Sequence, residues 1–363
     1  TLPDLSSVEP PWLPGARTAR VPLVVQSETA KEAMESLSDY PARSVHVVPP
    51  IVFDDGVPEV REKSPIRLCY SGKIDPLYGL DWLLELCQRL VSHPEFAATI
   101  IAGKDTHRSR HRDFFRQFDA FRAAVAGDAS SPVNYLSSLA HSDAKAEMAK
   151  AHFAFCLRHA SYDDVIEIST KIVEFSTLGV PPILNDTALN RSIFGDDYPY
   201  YVDILAENVV DQVLEIMRNA HTQTYDRARQ RLSEIAVRYS APRLSDRLAL
   251  AIRGSDGEPL SSGGEPRRML IATHDGKFLS QFADLCRSDT NVSIRWQRWK
   301  STLRYGGKNL GIPDDIDTVF CEWACENAVW HSHNKRPGTK LIVRLHRFET
   351  TRDFPSRVNW EAV

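Results

Sequence analysis

The sequence predicts an α/β fold: Rossmann-like parallel sheets with helices on both faces, in two α/β domains joined by a flexible linker. Three observations predict it. Short apolar runs alternate with stretches that carry apolar residues at helical spacing, the pattern of βαβ units. The 363 residues fit two domains at about 100–200 residues each. Residues 254–266 (GSDGEPLSSGGEP) are Gly, Ser, Pro, Asp or Glu throughout, except for Leu260, so nothing there repays the entropy of ordering. The expected division is therefore 1–253, a linker at 254–266, and 267–363.

The elements follow in order. Residues 22–25 (PLVV) are an apolar run before a helix start at 27–30 (SETA), and 45–48 (VHVV) lead into Pro49-Pro50. Residues 66–70 (IRLCY) read as a strand closed by a turn at Ser71-Gly72-Lys73. Leu80, Leu83, Leu84, Leu86, Cys87 and Leu90 fall on one helical face. Residues 97–102 (AATIIA) form the next strand, ended by Gly103, and 114–125 the next helix. A strand at 133–136, a helix at 142–151 and a buried strand at 153–157 (FAFCL) continue the alternation. A helix at 170–178 stops at Gly179, a residue suited to helix ends. A strand at 180–184 and helices at 206–220 and 224–237 complete this segment. The second segment opens likewise, with strands at 268–273, 292–296, 318–321 and 340–345 and a helix at 278–286.

Composition narrows the function classes. Hydrophobic residues at 42% and charged residues at 25% are ordinary for a globular chain. A net charge of −4 supplies no polycation for nucleic acid. No run approaches the ~20 apolar residues of a membrane-spanning helix. Six cysteines in a chain of this length are too few for a disulfide scaffold, so a reducing cytoplasm is expected. The chain opens at Thr1 and closes at Val363 in mid-pattern, which is expected of a piece of a longer polypeptide.

In parallel α/β folds ligands sit beyond the carboxyl ends of the strands. Gly72 there admits backbone N–H groups to an anion and Lys73 adds a point charge for phosphate; the alternative is a solvated lysine in a turn. In 167–182 (EISTKIVEFSTLGVPP), Ser169 or Thr170 can cap a helix whose N-terminus favours phosphate. Lys171 lies in its first turn, and Glu174 faces the same side. Such a set supplies donors and cations for a diphosphate and a carboxylate for ribose hydroxyls. The alternative is a capping box with a local ion pair.

This segment (S-T-K-I-V-E-F-x-x-L-G-V-P) resembles the S-x-K-x-x-E-[YF]-x-x-x-G-x-P signature of GT-B glycosyltransferases of family 4. Three further stretches fall in that family's order: 24–50, then Tyr70-Ser71-Gly72-Lys73 with Tyr78-Gly79-Leu80-Asp81, then Ile100-Ile101-Ala102-Gly103. The likeness covers roughly 20–250. It implies a donor-binding half for a nucleotide-diphosphate sugar, with no cofactor and no metal. Gly72, Lys73 and Lys171 would lie at phosphate or sugar, with Ser169 and Thr170 at the helix start. Glu174 would accept the ribose hydroxyls. Asp163, Asp164 and Glu167 precede that helix, where the family holds the donor sugar. Arg158 is a further contact whose alternative is a surface ion pair. Two departures stand out. Tyr78 replaces the family's second phosphate lysine. The earlier glutamate of the E-x7-E variant falls on Ile166, with Glu167 the nearest acid.

Residues 267–363 resemble the start of the acceptor-binding half, with 268–282 as its first strand, turn and helix, and 319–330 and 340–349 as later strands. His346 matches the position of the catalytic-cleft histidine; its alternative is a locally bonded strand-end histidine. The order, donor half before acceptor half, is the reverse of a standard enzyme of this kind. The expectation is a fragment of a longer protein with two such modules in tandem, whose partners are the flanking domains, and the alternative is a circular permutation. The implied activity is sugar transfer to a glycan or lipid-linked acceptor in polysaccharide or glycoconjugate biosynthesis. The alternatives are a non-catalytic nucleotide-binding or scaffold module, and an epimerase on the same fold. The basic cluster 107–112 (HRSRHR) reads as a solvated loop, its alternative being peripheral contact with an anionic membrane face. Cys321 and Cys325, near His331 and His333, lack the spacing of a structural zinc site.

Overall fold

The computed structural model describes residues 12–37, 39–41, 44–50, 62–163, 168–240, 244, 267–276, 279, 292–345, 349 and 352–363. They belong to two compact units: Val48–Arg247, and Thr1–Val47 together with Leu248–Val363.

The chain begins with α1 (Leu13–Thr18), β1 (Leu23–Val25), α2 (Glu28–Leu37) and β2 (Val45–Val47), and the two strands pair in parallel. The central unit then runs β3 (Ile66–Ile74), α3 (Leu80–Leu90), β4 (Phe96–Asp105), α4 (Arg112–Gly127), β5 (Val133–Ser137), α5 (His141–Ala149), β6 (Phe153–Phe155), α6 (Thr170–Thr177), β7 (Pro182–Asn185), α7 (Ala188–Phe194), β8 (Tyr201–Val202), α8 (Val209–Arg218) and α9 (Gln223–Arg238). The remainder adds β9 (Arg267–Thr273), β10 (Val292–Arg298), β11 (Thr318–Glu322), α10 (Glu326–Asn334), β12 (Lys340–Arg344) and α11 (Phe354–Arg357).

The central sheet has the order β5-β4-β3-β6-β7-β8, with every pairing parallel. Alternation along β3 shows why both faces are covered. Leu68 and Tyr70 join a core with Leu83 and Leu86 of α3 and Val213 and Met217 of α8. Cys69 between them joins a second core with Met148 and Ala149 of α5 and Phe175 of α6. Helix α3 occupies the expected span, because its apolar residues all fall on the buried face.

The expected turn at Ser71-Gly72-Lys73 is instead strand. β3 and β4 stay paired through Gly72 and Ala102, and the register shifts before Ile74 meets Asp105. Gly103 makes this possible: a Cβ there would stand 3.0 Å from the Gly72 carbonyl oxygen. The true turn is a single 3-10 turn at Pro76–Tyr78.

The other unit carries a parallel sheet in the order β10-β9-β11-β12. Its composition corrects the expected division at 253, because the residues up to Val47 belong with the C-terminal segment. The physical reason is a shared core. Trp12, Leu13, Ala16, Met34 and Val45 are buried in one cluster with Leu270, Val319, Val329, Phe354 and Trp360. The rings of Trp12 and Trp360 stand 5.9 Å apart. Residues 326–334, expected in a strand-bearing stretch, form α10. The expected linker 254–266 and most of the expected helix 278–286 lie outside the described residues. Among the described residues, no helix is long and apolar enough to cross a membrane.

Candidate functional site

The strand order places the reversal of the central sheet between β3 and β6. From β3 the chain winds one way through β4 and β5; from β6 it winds the other way through β7 and β8. Loops leaving the carboxyl ends of two such strands diverge and open a crevice. The residues after β3 and β6 therefore define the candidate site.

A buried carboxylate fixes the first of these loops. Asp75 is 1% exposed. It accepts from the Leu77 N–H at 3.1 Å, from Thr106 Oγ1 at 2.8 Å and from His107 Nδ1 at 2.7 Å. The turn after β3 is thereby tied to the turn after β4. Gly79 then adopts φ +68° and starts α3. A Cβ there would lie 2.9 Å from the Leu157 carbonyl oxygen, so only glycine allows this approach. The His159 N–H donates to the Leu77 carbonyl at 3.0 Å, joining the loops after β3 and β6.

Three side chains meet where these loops join. The Arg158 guanidinium carbon stands 5.4 Å from the Tyr78 ring centroid and 5.6 Å from that of Tyr162. The two tyrosine rings are 5.7 Å apart. Among the described residues Arg158 forms no ion pair, so the expected alternative of a surface ion pair is not seen. Its backbone is held by Asn185, the last residue of β7. Asn185 Oδ1 accepts from the Arg158 N–H at 2.9 Å, and Asn185 Nδ2 donates to the Arg158 carbonyl at 2.8 Å and to Asp163 Oδ1 at 2.6 Å.

Behind this cluster lies a small open pocket, with a cavity volume of about 30 Å³, whose walls include Arg158, Tyr162, Asp163, Ser169, Ile172 and Asn185. Cys156 is also part of the wall. Burial pushes its thiol up to about 12, opposed by the positive charges of Arg158 and Lys171.

The expected site residues are distributed as follows. Ser169 precedes α6 in extended conformation, and its side chain makes no capping bond. Thr170 is the first helical residue. Lys171 and Glu174 are ion-paired with each other, and His141 Nε2 stands 3.7 Å from the other Glu174 oxygen. That pairing is the local ion pair expected as the alternative to a ligand-binding set, while the capping bond that went with it is not formed. The pair faces the start of α5, while Ile168, Ser169 and Ile172 turn to the pocket. Gly72 and Lys73 end β3, with Lys73 exposed and unpaired among the described residues. Glu167, Asp164 and His346 lie outside the described residues. In the basic cluster, Arg108 pairs with Asp105 and Asp119 and His107 bonds Asp75, so two of its side chains are engaged internally.

Asn185 and Tyr162 were not singled out from the sequence. For Asn185 a signal existed, since it is a polar residue closing the apolar run 180–184. Tyr162 carried none. In the other unit, Cys321 and Cys325 are buried thiols, His331 bonds Gln297 Oε1 and His333 bonds the Arg357 carbonyl. Among the described residues, no group of three or more His, Cys, Asp or Glu side chains is arranged to hold a metal ion.

No protein-family model matches the chain. No curated protein matches it either. Solved structures do. HepE of Anabaena, in complex with UDP and glucose, is 12% identical with a TM-score of 0.51, covering 69% of each chain. The GtfA/B complex is 15% identical with a TM-score of 0.46, covering 62% of this chain and 44% of that one. S. aureus TarM, in complex with Fondaparinux, alpha-GlcNAc-glycerol and UDP, is 12% identical with a TM-score of 0.47, covering 66% and 45%. The chain thus spans under half the length of the last two. Its likeness to HepE is in fold: parallel α/β sheets with helices on both faces.

Proposed function

We propose that the chain is a glycosyltransferase, or part of one, whose unit Val48–Arg247 binds a nucleotide-diphosphate sugar. One observation carries this reading: an open pocket at the reversal of strand order, with the N-terminal end of α6 on its wall and Lys171 in that helix's first turn. Crevices at such reversals are where open α/β sheets take nucleotides. Unsatisfied N–H groups and the helix dipole favour a diphosphate there. The fold shared with HepE, which was solved with UDP and glucose, agrees with this ligand class.

Sugar transfer needs the departing diphosphate to be stabilised as negative charge grows on it. Lys73 and Lys171 are the residues proposed to do so, with Glu174 on the ribose hydroxyls. The acceptor is proposed to be a glycan or a lipid-linked saccharide, held by the unit that contains 267–363, and no metal is assigned a role. Isothermal titration of the full chain with UDP, GDP and ADP tests the reading. Micromolar binding of one of them is expected, and a folded chain that binds none overturns it.

A second reading is a nucleotide-binding module without transfer, favoured by Tyr78 standing where the resembled family has a phosphate lysine. Release of sugar from a bound donor, followed by chromatography, excludes it.

A further inference from the structure

We infer that Arg158, packed beside the rings of Tyr78 and Tyr162 at the strand-order reversal, is a diphosphate-binding group. The inference rests on the nucleotide-sugar reading for the identity of its ligand, but not for the chemistry of the anion.

Four observations carry it. The guanidinium stands 5.4 and 5.6 Å from two tyrosine ring centroids, contacts that leave its hydrogen-bond donors available. No carboxylate among the described residues pairs with it, unlike Arg89, Arg108, Arg191 and Arg231 of the same unit. Its backbone is bonded on both sides by the buried side chain of Asn185, so the residue is anchored while its head group lines the pocket. It follows β6, at the reversal itself.

Arginine suits this task better than a lysine would. Its planar fork can bond two phosphate oxygens at once, and aromatic faces orient it in advance. Tyr78 acts here by its ring, which contacts the guanidinium of the loop after β6. Its own position is secured from below, because the 3-10 turn that carries it is closed by Asp75.

The test is isothermal titration of the full chain with UDP, GDP, ADP and inorganic pyrophosphate, with circular dichroism to verify folding. Arg158→Ala is expected to weaken binding of both nucleotide and pyrophosphate by about ten- to hundredfold, the loss typical of a charge-assisted hydrogen bond. Arg158→Lys keeps the charge and the backbone contacts, and it should fall between the two. Tyr78→Lys placed in the Arg158→Ala background should recover most of the affinity. If Arg158→Ala and Arg158→Lys both titrate like the wild type while Lys171→Ala abolishes binding, the assignment to Arg158 is overturned and the nucleotide reading stands. If pyrophosphate binds through Arg158 but no nucleoside diphosphate binds more tightly, the anion site stands and the nucleotide reading falls. If the folded wild type binds neither, both fall.

Discussion

Asn185 grips Arg158 at both ends of its backbone, accepting from its N–H at 2.9 Å and donating to its carbonyl at 2.8 Å. One side chain on β7 thereby dictates where the loop after β6 goes. The same amide nitrogen also reaches Asp163 at 2.6 Å, and Asn190 Nδ2 bonds the Asn185 carbonyl. Asn185→Asp would keep an acceptor for the Arg158 N–H. It would also remove both donations and set a carboxylate against Asp163. Since Asn185 is 4% exposed, a loss of about 1–3 kcal/mol is expected, read by urea unfolding. Asn185→Ala should cost a similar amount without the carboxylate repulsion. Unfolding midpoints equal to the wild type in both variants would show that the loop is held by other means.

Gly79 gives the second prediction. At φ +68° an alanine is strained, and its Cβ would stand 2.9 Å from a backbone oxygen that cannot swing aside. Gly79→Ala should lose about 1–3 kcal/mol. Gly127 is the internal control: a Cβ there meets nothing within 4 Å and its φ is not positive, so Gly127→Ala should be neutral or slightly stabilising. Chemical denaturation of the two variants in parallel separates a close approach from a general effect of removing glycine.

The alternation of periods two and 3.6 shows through plainly in residues such as Leu80, Leu83 and Leu90, because each element hides one face and each hidden face leaves a sequence trace. What the chain order conceals is contact between distant segments. Trp12 and Leu13 lie more than 300 residues from Val329 and Trp360 in sequence, yet they share one core with them. The turn at Ser71-Gly72-Lys73 was misjudged because a glycine pair can extend a strand as readily as end it, and only the close approach of Gly103 to Gly72 decides. At the candidate site, Lys171 and Glu174 were legible as helical neighbours. The ring contacts of Arg158 were not, since Tyr78 and Tyr162 lie in short turns with no period to reveal them.

Glu174 carries the third prediction. It is largely buried against Lys171 and His141. If it also receives ribose hydroxyls, Glu174→Ala should raise the Kd for a nucleoside diphosphate about tenfold or more, ~1.4 kcal/mol. Pyrophosphate binding should change less, because pyrophosphate has no ribose. Glu326→Ala removes an ion pair to Arg357 in the other unit and should leave both titrations unchanged. Equal losses for nucleotide and pyrophosphate on Glu174→Ala would mean that the residue acts only through Lys171.

His331 makes folding of the unit containing 267–363 sensitive to acid. The ring is fully buried, Nε2 bonds Gln297 Oε1 at 2.7 Å, and Nδ1 has no polar partner among the described residues. Burial pulls its pKa from 6.5 down to about 4. The sign follows from proton counting. Between these two values the unfolded chain binds a proton that the folded chain refuses, so acid favours unfolding. The stabilisation is complete above about pH 6.5 and is lost as the pH falls toward 4, amounting to about 3 kcal/mol over that window. His331→Gln retains a donor for Gln297 but has no proton to gain. Its unfolding midpoint in urea should therefore vary less between pH 7 and pH 4.5 than that of the wild type, followed by near-ultraviolet circular dichroism of the tryptophans. An identical pH dependence in the two proteins would locate the acid sensitivity in other groups.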